Sequence, residues 1–159
     1  MRVWYRVGQL WQALVASAPP EPPEALPPAL RPLYLAMGRA DRAHALRTYR
    51  RLAGRPADLA LAALLHDVGK SASHVRLWHR VFYVLAARLA PGWLERGRPA
   101  GVAALRAHAE AGARQVEAAG GPPGVVRLIR YHHADPAALP WPAAERELLQ
   151  ALQRADQAS

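Results

Sequence analysis

Residues 62–70 read Ala-Ala-Leu-Leu-His-Asp-Val-Gly-Lys (AALLHDVGK) and end on the only lysine of the chain, Lys70. The run lies in an apolar segment that opens at Ala57, and its pattern predicts a helix over Ala57–Val68. Gly69 stands where such a helix is expected to stop. An imidazole and a carboxylate, His66 and Asp67, are thereby placed side by side at the end of an apolar helix. Polar groups on such a face are costly to bury unless they find partners.

Helical periodicity continues on both sides of this run. Upstream, a helix is expected from Ala40 to Ala53, ended by Gly54 and Pro56. Downstream, helices are expected over residues 75–90, from Pro99 to Ala119 (closed by Gly120-Gly121-Pro122-Pro123), over 124–133 and over Ala143–Ala155. Near the start, Val3, Val7, Leu10, Trp11 and Leu14 recur at helical spacing within residues 2–16. Residues 18–32 hold seven prolines, which excludes a helix or a central strand there. No segment alternates as a strand does. The expected fold class is all-α: a compact bundle of about six to seven helices in residues 33–159, preceded by an amphipathic helix and proline-rich arm in residues 1–32.

The segment 75–90 is the most apolar. Leu77, Trp78, Val81, Phe82, Val84, Leu85 and Leu89 cover most of its circumference, which favours a buried or crossing helix. The alternative is a peripheral membrane or partner contact, with Arg76, Arg80 and Arg88 facing phospholipid heads.

Composition narrows the chemistry. The 159 residues include no cysteine, which excludes disulfides, iron–sulfur clusters and a thiol nucleophile. Any metal must be held by His, Asp or Glu. No stretch has the length and apolarity of a membrane span, and the first residues lack the apolar core of a signal peptide, so a cytoplasmic location is expected. The net charge is +9, from 21 basic and 12 acidic residues. That favours anionic partners. The arginines are spread along the chain, with Arg47, Arg50 and Arg51 as the one patch, so the charge reads as a solvated surface rather than a nucleic-acid groove. Heavy use of Ala, Arg, Gly and Pro without Asn or Cys reads as a heat-stable protein from a GC-rich thermophile.

The remaining polar residues repeat the theme of the doublet. His108 is three residues from Leu105 on the edge of an apolar stripe. His132 follows Leu128 and Ile129 by four and three positions, His133 follows Ile129 by four, and Asp156 follows Leu152 by four. His44 lies in the first long helix. His108, His132, His133 and Asp156 therefore point to the interior side of their helices. A lone histidine on such a face is most simply a hydrogen-bonded core residue; a whole set buried together makes sense around a cation. Imidazole and carboxylate without thiolate suit Fe, Mn, Co, Ni or Zn. One or two such divalent metals would activate a water and hold a phosphoryl oxygen. His74 and His79 have no carboxylate neighbour to fix their rings and fall outside the set.

In order, these residues resemble the HD superfamily of metal-dependent phosphohydrolases. His44, the His66-Asp67 doublet and Asp156 match the signature of a helical His, a His-Asp pair and a distant Asp. Ala62–Lys70 resembles its central motif and Leu152-Gln153-Arg154-Ala155-Asp156 its closing one. His108-Ala109-Glu110-Ala111-Gly112-Ala113 and Arg130-Tyr131-His132-His133 resemble segments of the binuclear members. The spacings are 22 residues from His44 to His66, 41 from Asp67 to His108, and 24 from His108 to His132 and from His132 to Asp156.

The resemblance implies that His44, His66, Asp67 and Asp156 hold one metal and that Asp67 bridges to a second, held by His108 and His132. His133 would ligate or orient substrate. Lys70 matches a lysine that lies near the substrate phosphate in some relatives. The catalytic residues implied are thus Asp67 and Lys70. The continuation His133-Ala134-Asp135-Pro136 lacks the Gly-Tyr-Pro motif of the members that cleave cyclic di-GMP. The function implied is hydrolysis of an anionic small-molecule phosphate of nucleotide type, ester or anhydride. The alternatives are a non-catalytic nucleotide-sensing domain and a di-iron oxidative enzyme.

Overall fold

The computed structural model describes residues 21–72 and 107–159. A 3-10 turn, Pro28–Leu30, leads into α1 (Arg31–Ala36), α2 (Arg39–Arg51), α3 (Ala57–Leu65) and the short α4 (Gly69–Ala72). A helix over residues 107–118, called α5 here, is followed by α6 (Pro123–Tyr131), a 3-10 turn at Pro136–Ala138, and α7 (Ala143–Gln157). The described residues contain helices, turns and loops and no strand, so the fold class is all-α as expected.

The apolar run quoted first becomes the centre of the domain. Leu59 and Leu61 to Leu65 are all buried, and α3 packs against α1, α2, α6 and α7. A helix apolar all round has to be wrapped by others. Burying each of its leucines contributes roughly 1.5–3 kcal/mol. Around it, α6 contributes Val125, Val126, Leu128 and Ile129, and α7 contributes Leu149, Ala151, Leu152 and Ala155. Local chemistry sets the helix ends. Asp41 opens α2 and Arg50 and Arg51 close it, matching the helix dipole at both termini. α5 ends in a Schellman turn: Gly120 adopts φ +77°, with Gly121 N–H on the Val116 carbonyl (2.8 Å) and Gly120 N–H on that of Glu117 (3.0 Å).

Two expectations are corrected. The helix expected to reach Val68 stops at Leu65, and Gly69 opens α4 instead of closing α3. Gly69 has no positive φ, so its lack of a side chain serves a close approach. A Cβ there would lie 1.9 Å from the His108 carbonyl oxygen and 2.6 Å from the Gly112 nitrogen. The chain turns at 66–68 to lay this backbone directly on α5. The second correction concerns the proline-rich stretch, whose C-terminal end is helical. Pro28 and Pro32 occupy the first positions of their helical turns, where the missing N–H costs nothing. Leu26, Leu30 and Tyr34 are fully or almost fully buried in the same core as α3, and the Tyr34 hydroxyl donates to the Arg42 carbonyl (3.3 Å). The helices expected at 2–16 and 75–90, and His74 and His79, lie outside the described residues.

Candidate metal centre

The turn after α3 presents His66 and Asp67, both almost fully buried, with Lys70 beside them. α2 contributes His44, α5 His108, the end of α6 His132 and His133, and the last turn of α7 Asp156. The sequence-predicted residues come together as two groups of converging ligand atoms, His44 with His66 and Asp156, and His108 with His132 and His133; within each, all atoms lie within 4.8 Å of one another. Asp67 stands between the groups. Its Oδ2 is 3.6 Å from His66 Nε2 and its Oδ1 is 3.8 Å from His108 Nε2. The imidazoles form a continuous arc: centroid distances are 5.4 Å for His44–His66 and for His66–His132, 5.5 Å for His108–His132 and 3.8 Å for His132–His133.

The two most buried imidazoles are held in the same way. His66 Nδ1 lies 3.0 Å from the Ala63 carbonyl and His132 Nδ1 lies 2.7 Å from that of Ile129, three residues back in each case. A carbonyl only accepts, so Nδ1 carries the proton and Nε2 is left to act as donor atom toward the site. Both Nε2 atoms are buried without a hydrogen-bond partner. An orphaned buried nitrogen is costly. Two of them, with rings fixed by backbone acceptors and aimed at carboxylates, fit a cation.

The distances agree. Ligand atoms sharing one transition metal at about 2.0–2.2 Å sit roughly 3–3.5 Å apart. His66 Nε2 and Asp156 Oδ1 are 3.3 Å apart and not aligned as a hydrogen bond, and His108 Nε2 and His133 Nε2 are 3.1 Å apart. His44 Nε2 and Asp156 Oδ1, at 2.6 Å, form a short hydrogen bond. The all-nitrogen and oxygen donor set suits the divalent transition metals from Mn to Zn.

Electrostatics keep the carboxylates ready. Burial would raise the pKa of Asp67, but the charges of His66 and Lys70 hold it well below the usual carboxylate range. Lys70 Nζ donates to its Oδ2 at 2.5 Å. Burial likewise works against Asp156, and His44 and His66 overcome it. Burial disfavours a charged His66 as well, yet the Asp67 and Asp156 charges outweigh that and raise its pKa. His132 goes the other way, pushed down to about 3 chiefly by burial and then by the imidazoles of His66 and His133. His133 is lowered to about 4 by burial and by His108.

Some supports of the site carry little signal in the sequence. Gln153 donates from its amide to the carbonyls of His132 (3.1 Å) and Ala134 (2.7 Å), joining α7 to the end of α6. Its position three residues before Asp156 puts it on the same face of α7, which is the one hint available. Arg130 bonds Glu110 (2.9 Å) and Glu117 (3.2 Å), tying α6 to α5. Arg47 and Arg51, two members of the basic patch, donate to the carbonyls of Ser159 and Ala158 beside Asp156. Among the described residues no helix is long and apolar enough to cross a membrane.

No curated protein and no solved structure matches the chain. The family model of the HD domain matches residues 42–159, a span that holds every residue of the two ligand groups. With about three quarters of its length matched, the chain belongs to the HD domain family, within the superfamily of metal-dependent phosphohydrolases.

Proposed function

We propose that the chain hydrolyses a phosphate ester or phosphoanhydride of nucleotide type at a two-cation site. The observation that supports this most is the pair of buried, unpartnered Nε2 atoms of His66 and His132, each fixed from behind by a backbone carbonyl. His44, His66, Asp67 and Asp156 would hold one divalent transition metal, and His108, His132 and His133, sharing Asp67, the other. Such metals, when bound, lower the pKa of a water and neutralise charge on phosphoryl oxygens.

The protein's own groups do the rest. Asp67 stays ionised because Lys70 and His66 face it, so a carboxylate is available to both groups at neutral pH. Nδ1–H donation to Ala63 and Ile129 keeps the His66 and His132 rings from rotating away when the site is filled. Lys70, with its side chain partly exposed, sets a fixed positive charge at the rim, where an ammonium suits a phosphate oxygen. The surplus of basic residues draws in anionic substrates.

The test is turnover of a generic phosphodiester and of nucleoside phosphates by the metal-free protein after addition of Mn. The reading expects metal-dependent release of product. Tight binding of metal and nucleotide without turnover would favour the sensing role instead, and an oxygen-dependent optical change of the iron form would favour oxidative chemistry.

A further inference from the structure

We propose that Gln153 is a positioning residue: its carboxamide aims His133 into the second ligand group and fixes the distance from that group to Asp156. The inference rests on the two-cation reading above.

The end of α6 poses a problem that this side chain solves. The helix ends at Tyr131, so the carbonyls that follow have no donor from within the helix. His132 is secure regardless, because it is buried and its ring is locked onto the Ile129 carbonyl. His133 has neither advantage. The residue as a whole is exposed although its ring is partly buried; among the described residues no backbone acceptor fixes that ring, and its one side-chain hydrogen-bond partner is His108, a fellow member of the same group. Its ring rests against that of His132, centroids 3.8 Å apart, so its direction depends on how the backbone between the two residues is held. Both hydrogens of the Gln153 amide are spent on that backbone, one on the carbonyl before His133 (His132, 3.1 Å) and one on the carbonyl after it (Ala134, 2.7 Å). A simple helix cap would need only one of these bonds; two that straddle a single residue fix its orientation. Gln153 also precedes Asp156 by one helical turn, so one rigid helix carries the carboxylate of the first group and the clamp on the second.

The test uses the full chain, stripped of metal and titrated with Co(II), following heat and the visible absorption of the bound ion. Gln153→Glu keeps the size of the side chain and replaces both donors by acceptors that face carbonyls. Gln153→Ala removes the clamp without that repulsion and serves if the first variant fails to fold. Both should weaken the second equivalent by about 10–100-fold and change its absorption band, while the first equivalent stays within about threefold of wild type. A purely structural role would lower the melting temperature of the metal-free protein and weaken both equivalents alike, which would overturn the proposal, as would two wild-type equivalents in both variants. If the wild type itself takes up a single equivalent, the two-cation reading fails separately. Gln153 is then judged in the metal-free protein by the ring nitrogen NMR signals. A His133 signal that shifts in Gln153→Glu while that of His66 stays supports the positioning role, and an unmoved His133 signal refutes it.

Discussion

Gly69→Ala sets two effects of opposite sign against each other. Gly69 opens α4 with an ordinary negative φ, so helix propensity alone makes alanine better by about 0.5–1 kcal/mol. Packing says the reverse. The new Cβ would fall 1.9 Å from the His108 carbonyl oxygen and 2.6 Å from the Gly112 nitrogen, where ordinary contact begins near 3.4 Å. The three nearest atoms it meets are all backbone, so no rotamer change relieves the clash, and α4 and α5 must separate by roughly 1–1.5 Å. Overpacking of this kind costs about 1–3 kcal/mol or more, which exceeds the propensity gain. A net loss near 2 kcal/mol lowers the melting temperature of a chain this size by roughly 4–8 °C. The displaced strut carries His108, and Asp67 lies two residues before Gly69, so the second ligand group should lose metal affinity as well. Thermal unfolding in chelator, together with metal content after dialysis against Zn or Mn, reads both effects. Gly54→Ala is the control: its φ of +78° makes it strained, but a Cβ there meets nothing within 4 Å, so it should lose about 1 kcal/mol and keep full metal content. A Gly69→Ala protein that melts higher than wild type with unchanged metal would refute the packing argument.

Further outcomes follow from the site. Asp67→Ala should abolish binding of both metal equivalents and His108→Ala about half of the total, read by elemental analysis; equal losses would reduce the site to one metal and make His108 structural. Lys70→Ala should lower kcat/KM on any substrate turned over by about tenfold or more with metal content retained, and an unchanged value would make it a surface lysine. Between about pH 6.5 and 4 the unfolded chain takes up protons that folded His132 and His133 refuse, so the metal-free protein should lose stability as pH falls through that window, measured as melting temperature against pH. His66 acts oppositely, since its raised pKa favours the folded state at low pH, and His66→Gln should therefore steepen the acid loss. A flat profile in the wild type would count against neutral imidazoles at His132 and His133.

Much of this architecture is legible in the sequence, for reasons that differ by residue. Helical periodicity places Val116, Leu128, Ile129, Leu149 and Leu152 against the core, and the polar residues one or two turns from them are carried to the same side. That suffices to bring His108, His132, His133 and Asp156 toward His66 and Asp67. What escapes is tertiary. Gly69 looks like a helix stop because glycine has two uses, and only the position of α5 selects close approach over chain reversal. The turn at residues 28–36 escapes because prolines that forbid a helix interior are welcome in its first turn. The partners of Gln153 are backbone carbonyls, which no side-chain pattern announces.

Locating the metals decides whether the two ligand groups each hold a cation. Crystals of the protein grown with Mn or Zn, with data collected on both sides of the absorption edge, show each ion as an anomalous peak. Two peaks are expected, one among His44, His66 and Asp156 and one among His108, His132 and His133, with Asp67 between them. A fully loaded protein with a single peak, or with peaks away from these side chains, would contradict the two-cation reading.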